Sequence, residues 1–112
     1  MVATFTVPLS KVMKELALET VYLPKSADEI LISSRDVNRP GLELNGFYDY
    51  YDKNRILIFG NAETALLASF SQEKRRAVLD ALFSRNPPAV IVARNITPAP
   101  EMVDSARDNG VA

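Results

Sequence analysis

The chain has 112 residues, 47% of them hydrophobic and 24% charged, and thirteen basic against fourteen acidic side chains leave a formal charge of −1. That is one domain of ordinary globular composition, without the basic field that nucleic-acid binding needs. Neither cysteine nor histidine is present, which excludes disulfides, thiol chemistry and cysteine metal sites, and also any histidine-based triad, acid/base pair or zinc site built from this chain alone.

Met1 to Phe5 carries no charged lead-in and no long apolar run, so it does not read as a secretory signal. No apolar segment reaches the length that spans a bilayer. The expectation is a soluble, cytoplasmic chain with no membrane partner. The first helix is expected from Leu9 to Leu18, with Leu9, Val12, Met13 and Leu16 on one face. Ser10 or Thr6 is placed to cap it, and Pro8 sits where a first turn tolerates proline. Thr20 to Leu23 is β-branched and aromatic enough for a short strand closed by Pro24, and Ile30 to Ile32 makes a second one. A long connection then runs from Asp36 to Tyr51.

Arg55-Ile56-Leu57-Ile58-Phe59-Gly60 is the clearest strand, a continuous apolar run suited to burial on both faces. Asn61 is the expected cap of the next helix, where Ala62, Leu66 and Phe70 stack at i+4. Ser71 starts another helix whose apolar stripe holds Val78, Leu79, Leu82 and Phe83, with Lys74-Arg75-Arg76 as a solvated face. Asn86-Pro87-Pro88 stops it. Ala89 to Ala93 is a further buried strand. After Pro98 and Pro100 a last helix should reach Asn109, with Gly110 in the left-handed position beyond it. Alternation of apolar strands with helices predicts an α/β domain with a largely parallel sheet, spanning 1–112 as one unit. Val111-Ala112 stands where such a unit enters its next strand, so the chain is expected to be cut short there.

Gly60 before a helix invites a phosphate-loop reading, because a helix N-terminus offers free N–H groups to anions. Gly60-Asn61-Ala62-Glu63-Thr64 refuses it: one glycine, no lysine, and an acidic residue aimed at the dipole. Arg39-Pro40-Gly41 reads as a type II turn and Asn45-Gly46 as a second turn. Arg35 and Arg39 are candidate anion binders, with Asp36 close enough in sequence to neutralise either. In Phe47-Tyr48-Asp49-Tyr50-Tyr51, strict alternation puts Phe47, Asp49 and Tyr51 on one side and Tyr48 and Tyr50 on the other. One side would be core. The other would expose phenols to a partner or stack on a ring-bearing ligand. Asp49 and Asp52 lie near Arg55 and read as solvated turn residues. The ligand or interface candidates are therefore Arg35, Arg39, Tyr48, Tyr50, Tyr51 and Arg55, with Pro40, Gly41 and Gly46 as turn residues and no catalytic or metal-binding residue.

The run Asp36-Val37-Asn38-Arg39-Pro40-Gly41-Leu42-Glu43-Leu44 followed by Gly46-Phe47-Tyr48-Asp49-Tyr50-Tyr51 resembles the N-terminal domain of the bacterial HPr kinase/phosphorylases. The family pattern is roughly D-[IV]-x-R-P-G-L-x-L-x-G-[FY]-[FY]-D-[YF]-[YF], then a strand R-I-x-x-x-G, which Arg55-Ile56-Leu57-Ile58-Phe59-Gly60 continues in register. The resemblance covers most of the chain, but only residues 36–60 are specific, and the first 25 match loosely. It implies a three-layer α/β/α fold with a parallel or mixed sheet, similar to the UDP-sugar-binding first domain of the Mur ligases. It also implies a C-terminal kinase domain, absent from this chain, that holds the phosphate-binding loop, ATP and Mg and acts on a serine of HPr with ATP or pyrophosphate. Implied partners are that domain, HPr, and further subunits of a hexamer serving carbon catabolite control. For this segment the expectation is a non-catalytic assembly or regulatory role without a cofactor. The alternative is a sensor for an anionic metabolite or nucleotide sugar.

Overall fold

Four apolar residues in succession, Ile56–Phe59, form the strand on which everything else is built. Side chains alternate across a strand, and here the two sets enter different cores. Leu57 and Phe59 join one cluster with Leu79, Leu82 and Phe83. Ile56 and Ile58 meet the other, with Leu9, Ile30 and Ile32. The computed structural model describes residues 6–93 and 96–112; the Met1–Phe5 reading lies outside them.

In chain order the elements are β1 (Val7–Pro8), α1 (Leu9–Glu15), β2 (Leu31–Ile32), β3 (Val37–Asn38), α2 (Gly41–Leu44), β4 (Ile56–Phe59), α3 (Asn61–Ala68), α4 (Gln72–Phe83), β5 (Val90–Val92) and α5 (Pro100–Asn109). Strands β3, β4 and β5 lie parallel in that order, with Val37 opposite Ile56 and Leu57 opposite Val90. β1 and β2 form a separate antiparallel pair. The sheet thus has α1 with the β1–β2 pair over one face and α3, α4 and α5 over the other, a mixed α/β arrangement consistent with the three-layer α/β/α expectation.

The capping chemistry of α4 and α5 is as expected. Ser71 Oγ accepts the Lys74 N–H at 3.1 Å. At the end of α5, Gly110 takes φ 68, and Val111 N–H donates to Ala106 O at 2.8 Å, the 6→1 bond of a Schellman motif. The basic run on α4 is not the solvated face that its periodicity suggests. Arg75 pairs with Glu101 of α5 and donates to the carbonyls of Leu67 and Phe70. Arg76 bridges Asp80 and Asp108. Both arginines fasten helices together, and Lys74 stands over the Phe70 ring.

Several local expectations fail for identifiable reasons. Helix α1 ends at Glu15 rather than Leu18, because Ala17 turns left-handed at φ 53 and Leu18 N–H donates back to Met13 O at 2.9 Å. Neither Ser10 nor Thr6 caps it; Pro8 is the N-cap, without a side-chain bond. Thr20 to Leu23 forms no strand, since no neighbouring strand pairs with it and β propensity without a ladder specifies little. Asn61 is the first residue of α3 rather than its cap, a position taken by Gly60. The long connection expected from Asp36 to Tyr51 contains β3 and α2. No type II turn forms at Pro40, which sits at φ −82 and ψ 39 while Gly41 opens α2.

Candidate functional site

The segment from β3 to the start of α3 carries most of the singled-out residues in separate places, with Arg39 at the C-terminal ends of the strands, Arg55 at their entries and the tyrosines on the turns between. Arg39 leaves the C-terminal end of β3 and reaches the equivalent end of β4. Its Nη2 lies 3.0 Å from Glu63 Oε1, and the same oxygen accepts the Gly60 N–H at 2.7 Å. This is half of a capping box, the half a glycine N-cap can make. Burial alone would push the Glu63 carboxyl up. The Gly60 N–H, the Arg39 guanidinium and Glu63's own N–H outweigh it and hold the group below the ordinary carboxylate value.

Arg39, Ile58, Gly60, Asn61 and Ala93 line a shallow cleft at the C-terminal ends of the parallel strands, the place where open α/β sheets commonly take ligands. Here the α3 amide end is already answered by the chain's own carboxylate. Gly60 matters for closeness: a Cβ there would meet Arg39 Nη2. Arg35 is exposed and does not line the cleft.

Asp36, expected to compete for Arg35 or Arg39, stands 3.8 Å from Arg55 Nη2. Asp52 approaches Arg55 Nε at 3.5 Å from the other side, close enough for an ion pair but without hydrogen-bond geometry. Arg55 therefore ties the entry of β3 to the entry of β4. Glu43, a residue the sequence reading passed over, is buried and accepts the Asn38 side-chain amide at 3.0 Å, linking α2 to β3.

The aromatic run follows from how α2 ends. Gly46 turns left-handed at φ 87, with Gly46 N–H on Glu43 O and Phe47 N–H on Leu42 O, another Schellman closure. A second turn follows at once, with Tyr51 N–H on Tyr48 O at 3.0 Å. Turn geometry pairs residues three apart, so the predicted alternation does not hold. Phe47 and Tyr50 contact each other at 5.8 Å between centroids, and Tyr48 and Tyr51 do so at 5.9 Å.

Tyr48 and Tyr51 pack on the core under α4, and the Arg85 guanidinium lies 3.6 Å over the Tyr48 ring. Nothing around Arg85 in the sequence signals that contact, 37 residues away. Phe47 and Tyr50 face outward at 42% and 79% exposure, and Leu42, whose carbonyl receives the Phe47 N–H, is 55% exposed. Of the candidate phenols only Tyr50 is therefore presented to solvent. Asp49 is exposed, as expected of a turn carboxylate.

Among the described residues the Tyr48 and Tyr51 hydroxyls are buried without a hydrogen-bond partner. Burial pushes the Tyr51 phenol up to about 12, against the opposing pull of Arg85. An unmade buried hydrogen bond costs about 1–3 kcal/mol. Tyr48→Phe and Tyr51→Phe are therefore expected to be at least as stable as the parent in urea unfolding. A loss above about 1 kcal/mol in either variant would show that the hydroxyl has a partner in solution.

No group of three or more His, Cys, Asp or Glu that could hold a metal ion occurs among the described residues, and none of their helices is long and apolar enough to cross a membrane. Residues 7–112 match the family described as HPr Serine kinase N terminus. Over 107 residues the chain is 37% identical to the HPr kinase/phosphorylase of Streptococcus uberis. It is 34% identical over 107 residues to that of Streptococcus pyogenes serotype M5, and 36% to that of Streptococcus equi subsp. zooepidemicus. Each match covers 96% of this chain and 34% of the relative, so the chain spans about a third of the length of these proteins. With its Asp36-to-Gly60 run folded as one strand–helix–turn–strand unit around the Arg39–Glu63 pair, the chain belongs to the HPr serine kinase N-terminal family.

Proposed function

We propose that this chain is the non-catalytic assembly and regulatory domain of a cytoplasmic HPr serine kinase/phosphorylase that acts in carbon catabolite control. Catalysis, with ATP and Mg, belongs to the C-terminal kinase domain of the longer protein, and HPr is the substrate there. The domain's own partners are that kinase domain and neighbouring subunits of a homo-hexamer. The observation that carries this reading is the outward-facing Phe47–Tyr50 pair beside exposed Leu42, held by two successive turns above a core anchored by Tyr48 and Tyr51. Rigidly mounted aromatic side chains are the usual energetic centres of protein interfaces. The sensor alternative is weaker, because the arginine best placed to receive an anion is engaged by Glu63.

The test is the double variant Phe47→Ser/Tyr50→Ser in the longer protein. Subunit dissociation should rise by at least about tenfold, the equivalent of roughly 1.4 kcal/mol, as read by sedimentation velocity. The melting temperature of the 112-residue chain should barely change, since both side chains are exposed. An unaltered mass distribution in the longer protein would remove the assembly role from this surface.

A further inference from the structure

The turns that mount the aromatic run also decide which charges beside it remain unspent. Arg55 N–H closes a turn on Asp52 O at 3.2 Å. Within that turn the Asp52 carboxylate accepts the Asn54 N–H at 2.9 Å and faces Arg55. Arg55 is held between Asp52 and Asp36, and Glu43 is taken by the Asn38 amide. Arg85, from α4's end, lies over the Tyr48 ring. Of the charged residues from Glu43 to Arg55, two are left: Asp49, between Phe47 and Tyr50 in the chain, and Lys53, just past Tyr51 and Asp52. Both are exposed. Among the described residues neither makes an ion pair or a side-chain hydrogen bond.

The outward surface of this segment is therefore apolar at Leu42, Phe47 and Tyr50, with one acid and one base beside it. Three side chains make only part of the roughly 800 Å² a side that a standard interface buries, so the polar margin belongs to any stable contact. That margin narrows the choice of partner. A surface of one charge sign attracts one of the two residues and repels the other. A second copy of the same surface, turned about a twofold axis, offers a base to Asp49 and an acid to Lys53. Isologous contacts repeat every pair, so both charges are satisfied in both copies.

We propose that the Phe47–Tyr50 surface pairs with the same surface of a second copy of this chain about a twofold axis, the four rings near the axis and Asp49 of each copy paired with Lys53 of the other. The pairing rests on the assembly role proposed above and specifies which surface the partner presents. Burial of the rings supplies most of the affinity, because aromatic side chains carry most of the energy of such contacts. The two charge pairs lie at the margin, where they fix the register and turn away partners of a single sign.

A charge swap in the longer protein tests the pairing. Asp49→Lys sets like charges against each other on both sides of the axis, and so does Lys53→Asp. Each should raise subunit dissociation at least about fivefold in sedimentation velocity at low salt, and by less as salt is added. Asp49→Lys/Lys53→Asp restores both pairs in the reversed sense, so its dissociation should return to within about twofold of the parent. All three variants should keep the melting temperature of the 112-residue chain, since both side chains are exposed. A double variant as weak as the single ones, or single variants indistinguishable from the parent, would overturn the twofold pairing. If Phe47→Ser/Tyr50→Ser weakens assembly and the double swap recovers nothing, the surface assembles against a different one, and the twofold pairing alone fails.

Discussion

Phe59→Ala is expected to lower the unfolding free energy of this domain by about 3–5 kcal/mol. Phe59 is fully buried at the end of the central strand, and its ring meets Phe83 of α4 edge-on, with centroids 6.5 Å apart and planes at 82°. Truncation removes the transfer free energy of the ring, the ring–ring contact and the packing of a helix against the sheet in one step. Against a total stability of roughly 5–15 kcal/mol, that loss brings the domain close to unfolding. Urea titration reads it as a shifted midpoint at unchanged slope. A loss below about 1 kcal/mol would mean that β4 is not the centre of the core.

Glu63→Ala carries the second large effect. The buried Gly60 N–H loses its acceptor and Arg39 loses its partner. A loss of about 1–3 kcal/mol is expected, nearly all of it from the orphaned amide, because Arg39 is 59% exposed and water can solvate it. The same carboxylate makes the domain acid-sensitive, together with two others held below the ordinary carboxylate value. For Asp80, burial pushes the group up, but Ser105, Arg76 and Asn109 outweigh it. For Glu101 the lowering comes from its own N–H and then Arg75.

A carboxylate whose pKa is depressed by folding stabilises the native state above its unfolded value, about 4. It loses that contribution as pH falls through the folded value. The melting temperature should therefore be nearly level from pH 7 to about pH 5 and drop steeply below about pH 4. Glu63→Gln, which cannot titrate, should show a shallower acid limb than the parent. Superimposable acid limbs would place the sensitivity elsewhere.

The elements that announce themselves in the sequence are those whose signal is local. β4 is a run of apolar residues long enough to need cover on both sides, α4 has a serine cap and a periodic stripe, and α5 has proline at its start and glycine past its end. The same local logic misleads where a special residue serves an unusual purpose. Ala17 adopts a left-handed conformation that its residue type disfavours, so the true end of α1 is invisible. Pro40-Gly41 looks like a turn and instead opens a helix of one turn. In the aromatic run, two consecutive turns impose a period of three where alternation was the natural reading. This exchanges Tyr48 for Phe47 on the exposed side.

The site itself depends on long-range pairs. Glu63 is recognisable as an acidic residue in a first turn, but nothing local says that an arginine 24 positions earlier completes it. Arg75 and Arg76 look like surface charge because their acceptors on α5 are more than 20 residues away. The family, by contrast, is legible from residues 36–60. The structure gives a physical reason: that stretch packs β3, α2, two turns and β4 into one compact unit, so most of its residues are constrained at once.

The most direct test of the assembly account is solvent labelling of Phe47 and Tyr50 by hydroxyl-radical footprinting, in the 112-residue chain and in the assembled longer protein. The account predicts strong labelling of both in the isolated chain and clear protection in the assembly, with buried Phe59 and Phe83 unlabelled in each. Equal labelling of Phe47 and Tyr50 in the two states would show that no partner covers this surface, and the assembly role would have to be abandoned.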